Sequence, residues 1–160
     1  MSDRLLIMRH ATAEDVAPGG DDAARALVAR GVTQCSAVGA WLRRRDLIPA
    51  LVLHSPYRRA RETAQQVAEL CGVAGRLRAD ARLAPGGPLS QLLALVADAP
   101  GPLALVVGHE PQLSALLARL IGDGTAMIGL RKGAVAELQW LERQPPRAEL
   151  SGLLRPGDLS

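Results

Sequence analysis

The stretch "LLIMRHATAE", Leu5–Glu14, decides the fold. Leu5, Leu6, Ile7 and Met8 run without interruption into Arg9 and His10. A short continuous apolar run of this kind reads as a strand buried on both faces, the pattern of a central parallel sheet. A guanidinium and an imidazole side by side at the end of a buried strand point to an anion held there.

Two more runs match the first: "PLALVVGH" (102–109) and "ALVLHS" (50–55). Helical patterns lie between them. "TQCSAVGAWLRRR" (33–45) spaces Ala37, Ala40 and Trp41 at helical intervals. "YRRARETAQQVAELCG" (57–72) puts Ala60, Ala64, Val67, Ala68 and Cys71 on one stripe and stops at Gly72. "LSQLLALVADA" (89–99) and "PQLSALLARLIG" (111–122) are two further helices, the second opening on Pro and closing on Gly. Strands alternating with helices predict a three-layer α/β/α fold with a mostly parallel central sheet. Near the C-terminus, "GAVAELQW" (133–140) and "AELSGLLRP" (148–156) read as strands joined by "LERQPPR", a hairpin or antiparallel edge of the same sheet. "APGGDD" (17–22) and "APGGP" (84–88) are loops by their Gly and Pro content. No repeat, low-complexity tract or linker divides the chain, so residues 1–160 are expected to form one domain.

Composition narrows the classes. Phe is absent and aromatics make up 2%, so the core must be built from Leu, Val, Ile and Ala. A net charge of +3, with two Trp and one Tyr to stack bases, argues against a nucleic-acid protein. Cys35 and Cys71 fall in helical segments and read as free thiols. No apolar run suits a signal peptide or a membrane span, so a soluble, cytoplasmic protein without a membrane partner is expected. Nothing resembles a dimerisation stripe, and a monomer is the expectation.

The chemistry converges at strand ends. One strong strand finishes "MRH" and another "VGH". In open α/β sheets ligands bind beyond the carboxyl ends of the strands. The third strand leads into "HSPYRRAR", which delivers Arg58, Arg59 and Arg61 to the next helix, with Ser55 and Pro56 read as its cap and first-turn residue. Arginine forks match the oxygens of a phosphoryl group. Imidazoles beside them are pushed towards the neutral form, which is a competent nucleophile at phosphorus. A single strand-end His is usually structural, and an Arg cluster on a helix is usually a solvated face. Two histidines at equivalent strand ends, one abutting Arg, bring the structural and catalytic readings of the histidines nearer to even. A metal site of His10, His54 and His109 has no paired carboxylates or Cys cluster to support it, so no metal and no cofactor are expected. His54 reads as structural. The Gly-rich loops form neither a Walker loop nor a dinucleotide fingerprint, against a nucleotide-binding regulatory domain.

"LIMRHATAE", "SPYRRARETA" and "VVGHEPQLSALL" together resemble the three signature blocks of the histidine phosphatase superfamily, the phosphoglycerate mutase-like fold. The likeness spans Leu5 to about Pro156. "RHA" in place of Arg-His-Gly, the short chain, "VGHEP" and "RKGAVAEL" resemble the SixA-type phosphohistidine phosphatases. The resemblance implies that His10 is the phosphorylated nucleophile, that Arg9 and Arg59 hold the phosphoryl group, and that His109 stabilises its charge. It implies substrate-binding roles for Arg25, in "RALV", and for Glu110. The family's Gln-Thr is Glu62-Thr63 here. Larger members carry a carboxylate acid before the third block; "RLAPGGPLS" (82–90) has none, and Asp80 is the nearest. A phosphorylated imidazole needs such an acid less than an alkoxide does. The resemblance implies as partner a phosphohistidine-bearing protein such as a phosphotransfer domain, with which the missing acid agrees. A phosphatase of a small phosphate ester and a non-catalytic phosphoprotein-binding module are the alternatives. Lys132 is left either facing the pocket or capping the sheet.

Overall fold

A computed structural model describes residues 3–159 of the chain. A single six-stranded sheet has the order β3-β2-β4-β1-β5-β6. Its strands are β1 (Arg4–Arg9), β2 (Leu51–His54), β3 (Leu77–Ala79), β4 (Leu103–Gly108), β5 (Val135–Arg143) and β6 (Pro146–Leu154). The helices are α1 (Ala29–Arg44), α2 (Arg58–Leu70), α3 (Leu89–Asp98) and α4 (Gln112–Ile121). β3, β2, β4 and β1 run parallel; β5 pairs antiparallel with β1, and β6 with β5. This is the mixed α/β, phosphoglycerate mutase-like arrangement that the sequence predicts.

Alternation along the strands builds the three layers. Leu5 and Ile7 of β1 and Ala104 and Val106 of β4 pack under α3 and α4. Leu6 and Met8, with Leu105 and Val107, pack under α1 and α2. Both faces of β1 and β4 are thus dry, which is why these runs are continuously apolar. α2 turns Ala60, Ala64, Val67 and Ala68 inward at helical spacing. It stops at Gly72, whose φ of 73° suits a residue without Cβ.

The boundaries differ from the sequence reading in four places. α1 begins at Ala29, not residue 33. Its cap residue is Val28, with no side-chain cap bond, so the start carries no capping signal. Gly31 sits inside its first turn because the helix crosses the segment after β1: a Cβ there would lie 2.1 Å from the Thr12 carbonyl oxygen. β3, three residues on the sheet edge, is too short and too exposed to show a pattern. β5 runs on to Arg143 rather than ending at 140, β6 spans Pro146–Leu154 rather than 148–156, and the two form a hairpin that turns at 144–145. Ser55 and Pro56 do not open α2, which starts at Arg58 with Tyr57 as cap residue.

Candidate active site

β1 and β4 are parallel neighbours, with Arg9 opposite Gly108. The next residue on each is a histidine, and the His10 N–H donates to the Gly108 carbonyl at 3.0 Å. The two rings therefore meet, with centroids 5.2 Å apart and planes inclined by 54°. β2, on the far side of β4, ends at His54–Ser55 and feeds α2, whose second residue is Arg59. Arg9, His10, Arg59 and His109, predicted from sequence, come together at this end of the sheet.

His10 is 5% exposed. Its Nδ1 lies 2.8 Å from the Ala11 carbonyl oxygen, which only accepts, so Nδ1 carries the proton and Nε2 keeps its lone pair. Burial, then the charges of Arg59, Arg9 and Arg25, push its pKa down to about 4 against the pull of the Ala11 bond. At neutral pH the ring is uncharged. His109 is lowered to about 3, by burial first and then by His10 and Arg59. Its Nε2 is 2.8 Å from Ser55 Oγ, and its Nδ1 is buried with no partner among the described residues. Ser55 Oγ also accepts the Tyr57 N–H at 3.1 Å. With the Ser55 hydroxyl donating to Nε2, Nδ1 holds the proton and becomes a donor.

The buried side-chain polar atoms without a partner among the described residues are Arg9 Nε, Arg59 Nε, His109 Nδ1 and Gln112 Oε1. Three of these four are donors on the residues around His10. Buried donors are nearly always satisfied in folded proteins. Three left open on the residues beside His10 are donors that an anion could satisfy.

Neighbouring residues hold these groups in place. Arg9 Nη1 donates to the Leu130 carbonyl at 3.2 Å. The Tyr57 ring lies between Arg59, 5.2 Å away, and His109, 5.5 Å away edge-on. Thr63 Oγ1 accepts the Ala11 N–H at 3.0 Å and donates to the Arg59 carbonyl at 2.7 Å, tying the first and second sequence blocks together. Glu62 accepts the Leu27 N–H at 2.9 Å, which is what Glu-Thr contributes at this position.

The other candidates take distinct places. Arg25 is on the rim, its Nε donating to the Glu14 carbonyl at 2.5 Å and its Nη1 to Asp22 at 3.0 Å. Glu110 faces α4 and the following loop: it accepts the Ser114 N–H at 2.8 Å and the Leu130 N–H at 3.2 Å, and it bonds the Ser114 hydroxyl. It clamps the backbone behind Arg9. His54 donates to the Ser55 carbonyl at 2.9 Å and is buried. Asp80 is paired with Arg82 at 2.8 Å. Lys132 lies in a cleft beside Arg9. Arg58 pairs with Glu62 on the helix surface.

Two residues here were not singled out from sequence. Asp22 receives Arg59 Nη1 on its carbonyl at 2.8 Å and Arg59 Nη2 on its carboxylate at 3.2 Å. The Arg25 hydrogen bond, with the charge of Arg59, holds that carboxyl below its ordinary value. The "DDAAR" spacing, acid three residues before Arg25, was the available signal. Ser55, read as a helix cap, is the partner of His109.

No cluster of three or more His, Cys, Asp or Glu side chains among the described residues is placed to hold a metal ion. A cavity of about 650 Å³ lies between α3, α4 and the β5–β6 turn and contains none of the site residues. No helix among the described residues is long and apolar enough to cross a membrane.

The sequence profile of the histidine phosphatase superfamily (branch 1) matches residues 5–84, half of the chain, and the chain belongs to that family. The family and the fold are those of phosphatases. Among solved structures, the protein histidine phosphatase SixA complexed with tungstate is similar at 23% identity and a TM-score of 0.87, over 98% of this chain and 99% of the other. The putative phosphohistidine phosphatase SixA from Nakamurella multipartitia gives 27% and 0.81 over 98% and 97%. Mycobacterial glucosyl-3-phosphoglycerate phosphatase gives 22% and 0.72 over 94% and 98%. No curated protein sequence matches the chain.

Proposed function

We propose that the protein removes the phosphoryl group from a phosphohistidine on another protein, through a phosphohistidine intermediate on His10 and without a metal ion. The observation that carries this is the pocket itself: a neutral, buried imidazole with its Nε2 lone pair free, ringed by three buried donors without partners.

In the first step His10 Nε2 attacks phosphorus while the P–N bond to the substrate imidazole breaks, and the departing imidazole takes its proton from water. In the second, a water oxygen attacks phosphorus, the P–Nε2 bond breaks, and inorganic phosphate forms. Arg9, Arg59 and His109 Nδ1–H donate to the phosphoryl oxygens in both steps, the two arginines supplying the positive charge that phosphoryl transfer requires. Binding of the dianion raises both depressed histidine pKa values by charge pairing.

The phosphohistidine substrate is favoured by the state of the nearby carboxylates. Asp80 is engaged by Arg82, Glu110 by Ser114 and Leu130, and Asp22 by two arginines that keep it ionised. Each is occupied by partners within the protein rather than free to serve an alkoxide leaving group. The test compares turnover of a phosphohistidine protein with that of an alkyl phosphate. We expect the phosphohistidine to be the faster substrate by orders of magnitude in kcat/KM. Equal or faster hydrolysis of the alkyl phosphate would assign the site to small phosphate esters.

A further inference from the structure

We propose that the basic cleft next to the phosphoryl pocket is a docking site for acidic side chains flanking the phosphohistidine of the substrate protein. The inference rests on the phosphohistidine reading above.

The cleft, about 570 Å³, is lined by five cationic side chains, Arg9, Arg30, Arg131, Lys132 and Arg155, against one carboxylate, Asp158. Arg9 is shared with the phosphoryl pocket. The other four form no ion pair with a carboxylate among the described residues, whereas eight arginines elsewhere do. They arrive from three separate places: the first turn of α1, the turn before β5, and the end of β6. Arg30 is the second residue of α1, where the helix dipole disfavours a cation. Its position contributes nothing to the helix, and it adds charge to the cleft.

The walls are tied to the catalytic backbone. The Gly133 N–H donates to the carbonyls of Arg9 at 3.2 Å and His10 at 3.1 Å. Gly133 has φ of 79°, and a Cβ there would sit 3.0 Å from Pro156 and 3.2 Å from Gln34, so all three walls meet at this residue. Gln34 in turn accepts the N–H of Thr12 at 2.8 Å, two residues after His10. A segment seated in the cleft would thus be held in fixed register with the phosphoryl group.

The occupant follows from the cations' setting. Arg30, Arg131 and Arg155 are exposed and Lys132 is half-buried; none is desolvated like the donors around His10. They do not form a tight cage for a second phosphate. Solvated cations spread along an open cleft suit several carboxylates on a polypeptide, attracting them over roughly a Debye length, about 8 Å at physiological salt.

The test uses two synthetic peptides with one phosphohistidine each, flanked by Glu in one and Gln in the other, with phosphoramidate as a small substrate. Wild type is expected to favour the Glu peptide by roughly 10-fold in kcat/KM at low salt, an advantage that high salt abolishes. Arg30→Glu/Arg155→Glu should lose that preference, Arg30→Gln/Arg155→Gln should be intermediate, and phosphoramidate turnover should be unchanged in both. Equal turnover of the two peptides by wild type would overturn the docking role and leave the phosphohistidine reading standing. Failure to hydrolyse either peptide, with phosphoramidate hydrolysed, would overturn both.

Discussion

His10 and His109 face one another across adjacent parallel strands, with ring centroids 5.2 Å apart. The register of β1 on β4 sets this distance, since Arg9 is opposite Gly108 and each histidine is the next residue. Burial first, and then the charges of Arg59 and Arg9, keep both rings uncharged until an anion enters.

That arrangement makes stability depend on pH. The folded-state values of about 4 for His10 and about 3 for His109 lie below the ordinary 6.5. Between these values the unfolded chain binds more protons than the folded one, so stability rises with pH through the window and is lost as pH falls from 6.5 towards 4. Urea midpoints of the phosphate-free protein should decline across that range. His109→Gln should flatten the decline, and added phosphate should oppose it. A midpoint that is level from pH 6.5 to 4 in wild type would contradict the account.

Arg59→Ala should lower kcat/KM at least ~10²-fold, comparable to losing one oxyanion donor. Folding should survive, because the substitution relieves repulsion with Arg9 and releases Asp22, whose side chain is 60% exposed, to water. Nuclear magnetic resonance titration should show the His10 and His109 pKa values moving up. Arg59→Lys should not restore activity, since an ammonium cannot reproduce the fork. An unfolded Arg59→Ala variant whose folded fraction keeps full activity would make the arginine structural.

Ser55→Ala removes the hydroxyl that fixes the His109 tautomer and also leaves the Tyr57 N–H without its acceptor. Losing a buried partner costs about 1–3 kcal/mol of stability. We expect kcat to fall roughly 10-fold or more with KM little changed, as for loss of a general acid–base or orienting contact. Thr at this position should recover part of the rate. A loss confined to stability, with kcat intact, would reduce Ser55 to a turn residue.

Gly31→Ala puts a Cβ 2.1 Å from the Thr12 carbonyl oxygen, so α1 must move away from the segment that carries His10. Overpacking of this kind costs typically ~1–3 kcal/mol. Thermal denaturation should show the loss, and an unchanged midpoint would mean that α1 shifts freely.

Burial raises the Cys35 thiol to about 12 and also raises Cys71, which is only partly buried. A thiol reagent at mildly alkaline pH should modify at most Cys71 in the folded protein. Rapid labelling of Cys35 would show that the face under α1 opens readily.

The sheet and the convergence of the four candidate residues were legible because those residues sit at or just after the ends of continuous apolar strands, where sequence neighbours become spatial ones. "MRH" and "VGH" end in register, so two separated motifs predict one site. What was hidden depends on tertiary contact. Ser55 precedes a Pro and reads as a helix cap, yet its hydroxyl serves a histidine 54 residues away. Asp22 lies in a Gly-rich loop, and only the folded chain brings it to Arg59. The start of α1 lacks a cap residue and contains Gly31, so local propensity argues against the helix that packing imposes. β3 has three residues and a single inward side chain, too little for any periodicity.

The most direct test of the central claim is to trap the intermediate. Wild type and His10→Ala are mixed with a radiolabelled phosphohistidine protein and quenched in alkali on a short timescale. The account predicts transient label on wild type that is stable to alkali and lost in acid, absent from His10→Ala. Full turnover without label on wild type, or label on His10→Ala, would show that the phosphoryl group does not pass through His10.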